Sequence, residues 1–218
     1  MTELFDCTDP EARATGIAAA VGALKQGGLV VLPTDTVYGI GADAFDNAAV
    51  AALLAAKGRG RDMPVPVLVG SWHTIEGLVY TVPNTARELI RAFWPGALSL
   101  VVRQAPSLPW DLGDAHGTVM LRMPLHPVAI ELLREVGPMA VSSANISGRP
   151  AAVSAADARE QLGDLVDVYL DAGPSEQQAA STIVDLSGAH PRILRTGPVT
   201  AEAVAEVLGV NTESLLTE

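Results

Sequence analysis

The apolar residues of this chain fall into short runs of strand length, and segments with the spacing of an amphipathic helix lie between many of these runs. Strands are predicted at 29–33, 65–69, 98–103, 119–123, 139–142, 166–170, 182–186 and 193–195. Helices are predicted at 10–26, 48–56, 74–79, 85–93, 127–136, 154–162 and 198–208. Several strands follow one another with no helix between them. The pattern therefore predicts an α/β domain with a mixed, twisted sheet and flanking helices rather than a purely parallel sheet.

The composition predicts one packed domain. Of the 218 residues, 49% are hydrophobic and 18% are charged, which favours a globular core over disorder. No internal repeat, low-complexity linker or shift in composition divides the sequence. The domain is therefore predicted to span 10–209, and 210–218 are predicted to be a polar C-terminal tail.

A secreted or membrane-bound protein is disfavoured by simple sequence features. The single cysteine, Cys7, cannot form an intrachain disulfide, which suits a reducing cytosol. The N-terminus has no basic run followed by an apolar stretch, and the apolar runs are too short to span a bilayer. We therefore expect a cytoplasmic protein that does not associate with membranes.

The distribution of positive charge is more informative than the net charge. A net charge of −11 argues against a protein that grips nucleic acid over its whole surface. Yet Lys57, Arg59 and Arg61 lie within five residues of one another, separated by glycines. Such a loop can form a pocket for an anionic small molecule, because glycines let backbone and ligand approach closely. The alternative is an ordinary solvated basic loop after a helix, whose dipole favours nearby cations.

Two polar features are predicted at the ends of buried strands. Thr34, Asp35 and Thr36 directly follow the strand at 29–33, at an edge where α/β sheets often bind ligands. The alternative is a turn that only satisfies its own backbone. Arg122 lies in an otherwise apolar strand, where a buried guanidinium needs an anionic partner. That partner is either the carboxylate of an amino-acid ligand or an acidic residue of the protein itself.

Two further segments carry small polar side chains after predicted strands. Residues 142–148, Ser-Ser-Ala-Asn-Ile-Ser-Gly, offer hydroxyl and amide groups in little volume, and Ser181 and Arg195 also lie at strand ends. Each pattern is common and identifies no ligand by itself. The sequence does not support several other kinds of site. It has no zinc-ligand spacing, no Walker A motif of P-loop ATPases, no Gly-x-Ser-x-Gly of serine hydrolases and no Gly-x-Gly-x-x-Gly for NAD.

Taken in order, six motifs resemble those of the YrdC/TsaC family of threonylcarbamoyl-adenylate synthases. They are Pro-Thr-Asp-Thr-Val-Tyr-Gly at 33–39, Lys-x-Arg at 57–59, Trp-Pro-Gly at 94–96, Arg-x-Pro-x-His-Pro at 122–127, Ser-Ala-Asn-x-Ser-Gly at 143–148 and Ser-Thr-Ile-Val-Asp at 181–185. Each motif is weak alone, but six in this order are specific, and the similarity covers about 18–209. The chain resembles the short form of the family, with a single YrdC-like domain.

The resemblance implies a fold and a reaction. The fold is an α/β twist around a concave, positively charged cavity. The reaction is a nucleotidyl transfer that makes threonylcarbamoyl-AMP and pyrophosphate from L-threonine, bicarbonate and ATP, with Mg²⁺ accompanying ATP. It is an early step in the biosynthesis of threonylcarbamoyladenosine (t6A) in tRNA. The product is expected to pass to a tRNA threonylcarbamoyl-transferase complex, and weak tRNA binding is compatible with the resemblance.

The same likeness implies roles for individual residues, while the metal ligands stay unassigned. The expected catalytic residues are Lys57, Arg59, Ser143 and Asn145. The expected ATP-binding residues are Lys57, Arg61, Thr118, Ser143 and Arg195. The expected L-threonine-binding residues are Thr34, Arg122 and Ser181, with Arg122 on the carboxylate.

Two departures and two alternatives accompany this interpretation. Gly60 and Ser142 stand where many relatives have proline, which leaves the functional side chains intact but changes the loops that carry them. One alternative is an RNA-binding module without turnover, for tRNA or double-stranded RNA, against which the acidic net charge argues. The other is the carbamoyl-transfer domain of hydrogenase-maturation proteins, whose zinc-finger and acylphosphatase segments this sequence lacks.

Overall fold

The computed structural model describes residues 2–216. The strands within this range are β1 (Glu3–Asp6), β2 (Val30–Leu32), β3 (Gly39–Asp43), β4 (Val67–Leu68), β5 (Leu98–Arg103), β6 (Thr118–Arg122), β7 (Met139–Ser143), β8 (Val168–Asp171), β9 (Thr182–Asp185) and β10 (Arg192–Arg195). The α-helices are α1 (Pro10–Lys25), α2 (Asn47–Ala56), α3 (Asn84–Phe93), α4 (Pro127–Val136), α5 (Ala155–Leu162), α6 (Ala201–Leu208) and α7 (Thr212–Leu216). Two 3₁₀ helices cover Trp72–Gly77 and Gly163–Leu165.

The strands form one mixed sheet in the order β1-β8-β2-β3-β7-β4-β6-β5-β9-β10. The pairs β1·β8, β2·β8, β4·β6 and β5·β9 are parallel. The pairs β2·β3, β3·β7, β4·β7, β5·β6 and β9·β10 are antiparallel. The predicted fold class, a single α/β domain with a mixed sheet and flanking helices, is confirmed.

Helices on the two faces of the sheet bury two apolar clusters. On one face, Ile17 and Leu24 of α1 pack with Leu132 of α4 and with Val30 and Leu32 of β2. The other face is covered by the larger cluster, to which α2, α3, α5, α6 and α7 contribute. Alternate residues of a strand point to opposite faces, so β2 contributes to both clusters. Val31, which lies between Val30 and Leu32, belongs to the larger cluster.

Side-chain caps fix the starts of several helices where the sequence predicts them. The Asp9 carboxylate accepts a hydrogen bond from Ala12 N at α1, and the Asp46 carboxylate accepts from Ala48 N and Ala49 N at α2. Capping residues satisfy backbone N–H groups that have no partner within the helix. Helix α2 ends at Ala56, and Lys57 is its C-cap residue.

Strand β3 is absent from the prediction, in which the residues from 33 to 41 are a polar segment after a strand, with a turn as the alternative. Its sequence, Gly-Ile-Gly-Ala-Asp, has weak strand propensity. Tertiary packing selects small residues here, because a Cβ at Gly39 would lie 2.6 Å from Val141 Cγ1 and one at Gly41 would lie 2.7 Å from Met139 Cε. Strand β3 therefore pairs closely with β7 between residues of larger volume.

The structure also extends the folded unit beyond the predicted limits of 10–209. Strand β1 precedes residue 10 and pairs in parallel with β8. At the other end, α7 replaces part of the predicted polar tail, because Leu215 is 1% exposed and belongs to the larger cluster. Of the predicted tail, residues 217 and 218 lie outside the described range. Among the described residues, no helix combines the length and the apolar character needed to cross a bilayer.

Candidate functional site

An open cleft of about 260 Å³ lies where several separate segments of the chain converge. Six of the predicted site residues line it: Thr34, Arg59, Arg122, Ser143, Ser181 and Arg195. Thr34 follows β2, Arg59 follows α2, and Arg122 and Ser143 end β6 and β7. Ser181 precedes β9, and Arg195 ends β10. The sheet therefore gathers residues that are far apart in sequence.

Arg122 is held from three directions. Its guanidinium forms an ion pair with Asp35, and its Nη1 donates to Thr36 Oγ1 at 2.7 Å. Its Nε donates to the carbonyl oxygen of Gly96 at 2.8 Å. Burial lowers the pKa of Arg122 from its ordinary value, and the negative charge of Asp35 opposes that effect. The internal ion pair expected as one alternative is therefore present. A guanidinium has five N–H donors, and three of those of Arg122 are bonded to other described residues. Two N–H donors therefore remain for a ligand.

Thr34 is engaged in its own turn. Its hydroxyl donates to the carbonyl oxygen of Val37 at 2.6 Å, so its oxygen can only accept from Thr36 Oγ1, which lies 3.0 Å away. Thr36 N also donates to Thr34 Oγ1, at 3.2 Å. The hydrogen bonds thus run in one direction, from Arg122 through Thr36 and Thr34 to Val37 O. Thr34 lines the cleft, but its hydroxyl is already used.

Lys57 and Asn145 contact each other and are absent from the lining of the cleft. The Lys57 ammonium is 2% exposed and donates to the carbonyl oxygens of Ser143 and Asn145 and to Asn145 Oδ1. These oxygen acceptors favour the protonated amine. Burial, and next the positive charge of Arg59, favour the neutral amine and lower the pKa of Lys57 to about 8.

Arg59 reaches the cleft beside Ser142. Its Nη1 donates to Ser142 Oγ at 3.0 Å, and its Nη2 donates to the carbonyl oxygen of Pro64 at 3.3 Å. Its Nε is buried without a partner among the described residues. Burial lowers the pKa of Arg59 from its ordinary value. A guanidinium with an unused donor beside an open cleft is suited to an anionic ligand.

Ser181 is the centre of a small hydroxyl network that includes Arg195 and Ser99. Arg195 Nη2 donates to Ser181 Oγ at 3.1 Å, and Arg195 Nε donates to the carbonyl oxygen of Ser181 at 2.9 Å. Ser99 Oγ lies 2.8 Å from Ser181 Oγ. The predicted threonine-binding serine and the predicted ATP-binding arginine are therefore in direct contact.

Arg61 and Thr118 lie outside the lining of this cleft. Arg61 forms a bidentate ion pair with Asp111, at 2.9 Å for both bonds, and lies 3.3 Å from Asp114. Thr118 lines a smaller cavity of about 150 Å³, which shares Pro64 and Met120 with the cleft. Its hydroxyl donates to the carbonyl oxygen of Ala115 at 2.7 Å. The roles expected of both residues stay predictions.

A second groove, of about 280 Å³, lies between the Trp72–Gly77 helix and α3. Trp72 and Trp94 line it together with apolar residues and two arginines. It contains none of the predicted site residues, so the cleft with the convergent hydroxyls and arginines is the candidate site. Three arginines line the candidate site, but Asp35 neutralises the charge of Arg122. The cationic character of this cleft therefore stays a prediction.

No group of three or more histidine, cysteine, aspartate or glutamate residues in 2–216 is arranged to hold a metal ion. A Mg²⁺ ion prefers to keep several waters and to bind substrate phosphates through one or two carboxylates. Mg²⁺ with ATP therefore remains an expectation for the substrate rather than a site built by the described residues.

A family model for the Sua5/YciO/YrdC domain, described as "Telomere recombination", matches residues 22–197. That range is most of the chain. The chain belongs to the Sua5/YciO/YrdC family.

Curated relatives align with almost the whole of this chain. It is 80% identical over 215 residues to a protein of Mycobacterium tuberculosis (strain H37Rv) named "Putative threonylcarbamoyl-AMP synthase", and the match covers 99% of both chains. It is 36% identical over 211 residues to the threonylcarbamoyl-AMP synthase of Bacillus subtilis, covering 96% of this chain and 60% of the relative.

Solved structures agree with the family assignment. Sua5 of Pyrococcus abyssi in complex with L-threonine superposes with a TM-score of 0.85 at 36% identity. That match covers 88% of this chain, and this chain spans 57% of the length of that protein. YciO of Escherichia coli superposes with a TM-score of 0.82 at 23% identity, which shows the shared fold alone.

Within this family member, the sequence motifs miss some of the residues that shape the cleft. Ser99 and Ser142 line it and are 3% and 6% exposed, yet neither is a predicted site residue. Asp35 belongs to a quoted motif without a predicted role, although it holds Arg122. A polar residue at a buried strand position was the available signal for Ser99, because such a hydroxyl needs a partner.

Proposed function

We propose that the chain is an L-threonylcarbamoyladenylate synthase. It forms threonylcarbamoyl-AMP and pyrophosphate from L-threonine, bicarbonate and ATP for t6A biosynthesis in tRNA. The observation that carries this proposal is the 80% identity, over 99% of both chains, to a relative named for that activity. The cleft supports it, because arginines and hydroxyls from distant segments converge there.

The proposed reaction has two balanced steps. The amine of threonine attacks the carbon of bicarbonate, and water leaves, which gives a carbamate. An oxygen of that carbamate then attacks the α-phosphorus of ATP, and the bond to pyrophosphate breaks. The second step is an adenylyl transfer, which is a nucleotidyltransferase reaction.

The residues of the cleft supply positioning and charge neutralisation for these steps. The two remaining N–H groups of Arg122 match a carboxylate, so Arg122 is proposed to hold that of threonine. Arg59 and Arg195 are proposed to hold the phosphates of ATP, with Ser143 as a hydroxyl donor. Mg²⁺ would enter with ATP as part of the substrate and spread the charge of the departing pyrophosphate. Holding the reactants in line lowers the entropic part of the barrier.

The reactivity of the proposed product determines how it can be used in the next reaction. A mixed anhydride of a carbamate and a phosphate reacts readily with water, so we propose that it passes to a tRNA threonylcarbamoyl-transferase complex in the cytoplasm. Cytoplasmic location and direct contact with tRNA stay predictions.

Pyrophosphate release tests the proposal. We expect release only when ATP, L-threonine and bicarbonate are present together, and loss of most activity in Arg59→Met. Arg91→Met is the matched control, since Arg91 is exposed on α3 and lines the other groove. Release that persists when threonine is omitted would contradict the proposal. Salt-dependent RNA binding without any nucleotide turnover would favour the RNA-binding alternative instead.

A further inference from the structure

Ser99 is a polar residue in a mostly apolar strand. Strand β5 has the sequence Leu-Ser-Leu-Val-Val-Arg, and Ser99 lines the cleft at only 3% exposure. A buried hydroxyl costs free energy unless it is hydrogen-bonded. Within residues 2–216, the Ser99 hydroxyl has one hydrogen-bond partner, Ser181 Oγ at 2.8 Å. The contact that explains the presence of Ser99 is therefore a contact with another residue of the cleft.

The two serine hydroxyls and Arg195 leave one O–H group unused. A hydroxyl has one donor and two acceptor positions, and a guanidinium can only donate. Arg195 Nη2 donates to Ser181 Oγ at 3.1 Å. Whichever serine donates in the 2.8 Å contact, the other keeps an O–H with no acceptor among the described residues. When Ser99 donates, Ser181 Oγ accepts from two groups, and its own O–H is left for a ligand.

The segment that carries Ser99 also holds the arginine proposed to bind threonine. The carbonyl oxygen of Gly96, three positions before Ser99, accepts from Arg122 Nε at 2.8 Å. Burial is the main cause that lowers the pKa of Arg122, and the positive charge of Arg195 is near enough to lower it further. The serine pair and the Arg122 guanidinium are therefore neighbours in the same part of the cleft.

The Trp-Pro-Gly motif at 94–96 fixes this segment in place. Trp94 Nε1 donates to the carbonyl oxygen of Leu98 at 2.7 Å, and Gly96 N donates to the carbonyl oxygen of Met123 at 2.9 Å. The motif has no predicted functional side chain. These bonds give it a role, because they set the positions from which the chain reaches Arg122 and the serine pair.

The ligand that suits this arrangement carries an oxygen that only accepts. Two arginines beside the serine pair favour an anion, and a carboxylate matches a guanidinium. A carboxylate oxygen cannot donate to either serine, so it needs the one O–H that the pair has to spare. The direction in which Ser99 donates to Ser181 supplies that O–H from Ser181.

We propose that Ser99 is a positioning residue of the amino-acid site, which donates to Ser181 and thereby directs the Ser181 O–H toward the carboxylate of threonine held by Arg122. The inference rests on the proposed function in taking threonine as the ligand in this part of the cleft. Ser99 does not contact threonine itself, and its effect passes through Ser181.

Calorimetric titration with L-threonine tests the role of the Ser99 hydroxyl. We expect Ser99→Ala to weaken threonine binding by about 2- to 12-fold, which corresponds to the net value of one hydrogen bond. Ser99→Thr keeps the hydroxyl and suits a strand, so its affinity should lie within about twofold of the parent protein. Parent-like affinity in Ser99→Ala, or a Ser99→Thr variant as weak as Ser99→Ala, would overturn the proposal.

Titration of the same variants with ATP separates this role from a general effect on the fold. A loss of packing would lower Tm and weaken the binding of both substrates. We expect Ser99→Ala to bind ATP alone within about twofold of the parent protein. Ser107→Ala is the matched control, because it makes the same change at an exposed serine outside the cleft. Equal weakening of ATP and threonine binding by Ser99→Ala would overturn the proposal.

A double variant separates positioning from direct contact. Ser181→Ala removes the proposed donor itself, so we expect it to weaken threonine binding more than Ser99→Ala does. The double variant should then bind threonine within about twofold of Ser181→Ala, because Ser99 has no separate contact to lose. Losses that multiply in the double variant would show that Ser99 contacts threonine directly and would overturn the proposal.

The parent protein distinguishes this inference from the proposed function. If it does not bind L-threonine, the proposed function is wrong, and the inference falls with it. If it binds L-threonine and Ser99→Ala binds equally well, the inference alone is overturned.

Discussion

Arg122 illustrates how one residue of the cleft can be stable and still available to a ligand. A guanidinium at 6% exposure is costly to bury unless it is paired and hydrogen-bonded. Asp35, at 2% exposure, supplies the opposite charge, and Thr36 and Gly96 O accept two further N–H groups. The remaining donors are held in a fixed direction, which favours recognition of a planar carboxylate over a compact anion.

We expect Arg122→Lys to impair threonine binding selectively. Lysine keeps the charge but cannot donate two parallel bonds, and the loss of a hydrogen bond to a charged group costs about 1.5–3 kcal/mol, which is roughly 10- to 150-fold in affinity. Calorimetric titration with ATP alone is expected to give an affinity within about twofold of the parent protein. Arg91→Lys is the control on an exposed helix face. Equal weakening of ATP binding by Arg122→Lys would place Arg122 in the nucleotide site instead.

Lys57 provides a test of pH dependence. Its pKa is lowered to about 8 in the folded protein, mainly by burial, from an ordinary value of 10.5. Below about pH 8 the amine is protonated in both folded and unfolded chains, so the cost of burying the charge is present in full. Between about pH 8 and 10.5 the unfolded chain binds more protons than the folded one, so the free energy of unfolding rises with pH.

We therefore expect the stability difference between the parent protein and Lys57→Met to move in favour of the parent as pH increases from about 8 to 10. Denaturant unfolding at several pH values measures this difference. The exposed Lys25→Met should show no such trend relative to the parent. A difference that is constant across this range would contradict the lowered pKa.

At the scale of secondary-structure elements, the ends of the chain contribute more than their sequences predict. Helix α7 has five residues, too few to be stable alone, so its stability comes from packing. Leu215 supplies that packing at 1% exposure, whereas its neighbour Leu216 is 54% exposed. The element therefore depends on one buried side chain, and it closes the larger apolar cluster at the C-terminal end.

We expect Leu215→Ala to destabilise the protein by about 2–5 kcal/mol, because it removes buried methyl groups and leaves a cavity. Thermal unfolding should show a fall in Tm of several degrees. Leu216→Ala makes the same chemical change at an exposed position in the same helix, and its Tm should match that of the parent protein. Equal effects of the two variants would mean that α7 does not pack as described.

At the scale of the whole molecule, the order of strands determines which residues meet. Arg122 on β6 and Arg195 on β10 lie 73 positions apart (195 − 122) in the sequence, yet both line one cleft because β5 and β9 connect their strands. The chain that forms this cleft carries a net charge of −11. A net charge of this sign disfavours an extended polyanion as a ligand.

We expect the nucleotide-free protein to bind tRNA no more tightly than about 10⁻⁶ M at physiological salt, the tight end of non-specific binding. Fluorescence anisotropy with labelled tRNA at several salt concentrations measures this affinity. Sub-micromolar binding with a steep salt dependence would contradict the expectation and would support the RNA-binding alternative.

The sequence predicts the fold class and several elements because their signals are local. The caps at Asp9, Asp46 and Ser154 begin helices where they are predicted, since a side chain three residues or fewer from its partner needs no tertiary context. The ordered motifs, rather than any spacing, indicate the family. Strand β3 is missed because its glycines are selected by the side chains of β7, which are distant in sequence.

What the sequence by itself determined is the identity of the polar residues that could form a site, and the alternation of apolar runs that makes a mixed sheet. Only the tertiary structure decided how those residues divide. Arg122 is paired with Asp35, and Lys57 donates to the segment 143–149 instead of facing the cleft. The physical reason is that a charged side chain is directed by the oxygens nearest to it, and chain folding brings those oxygens from more than 80 residues away.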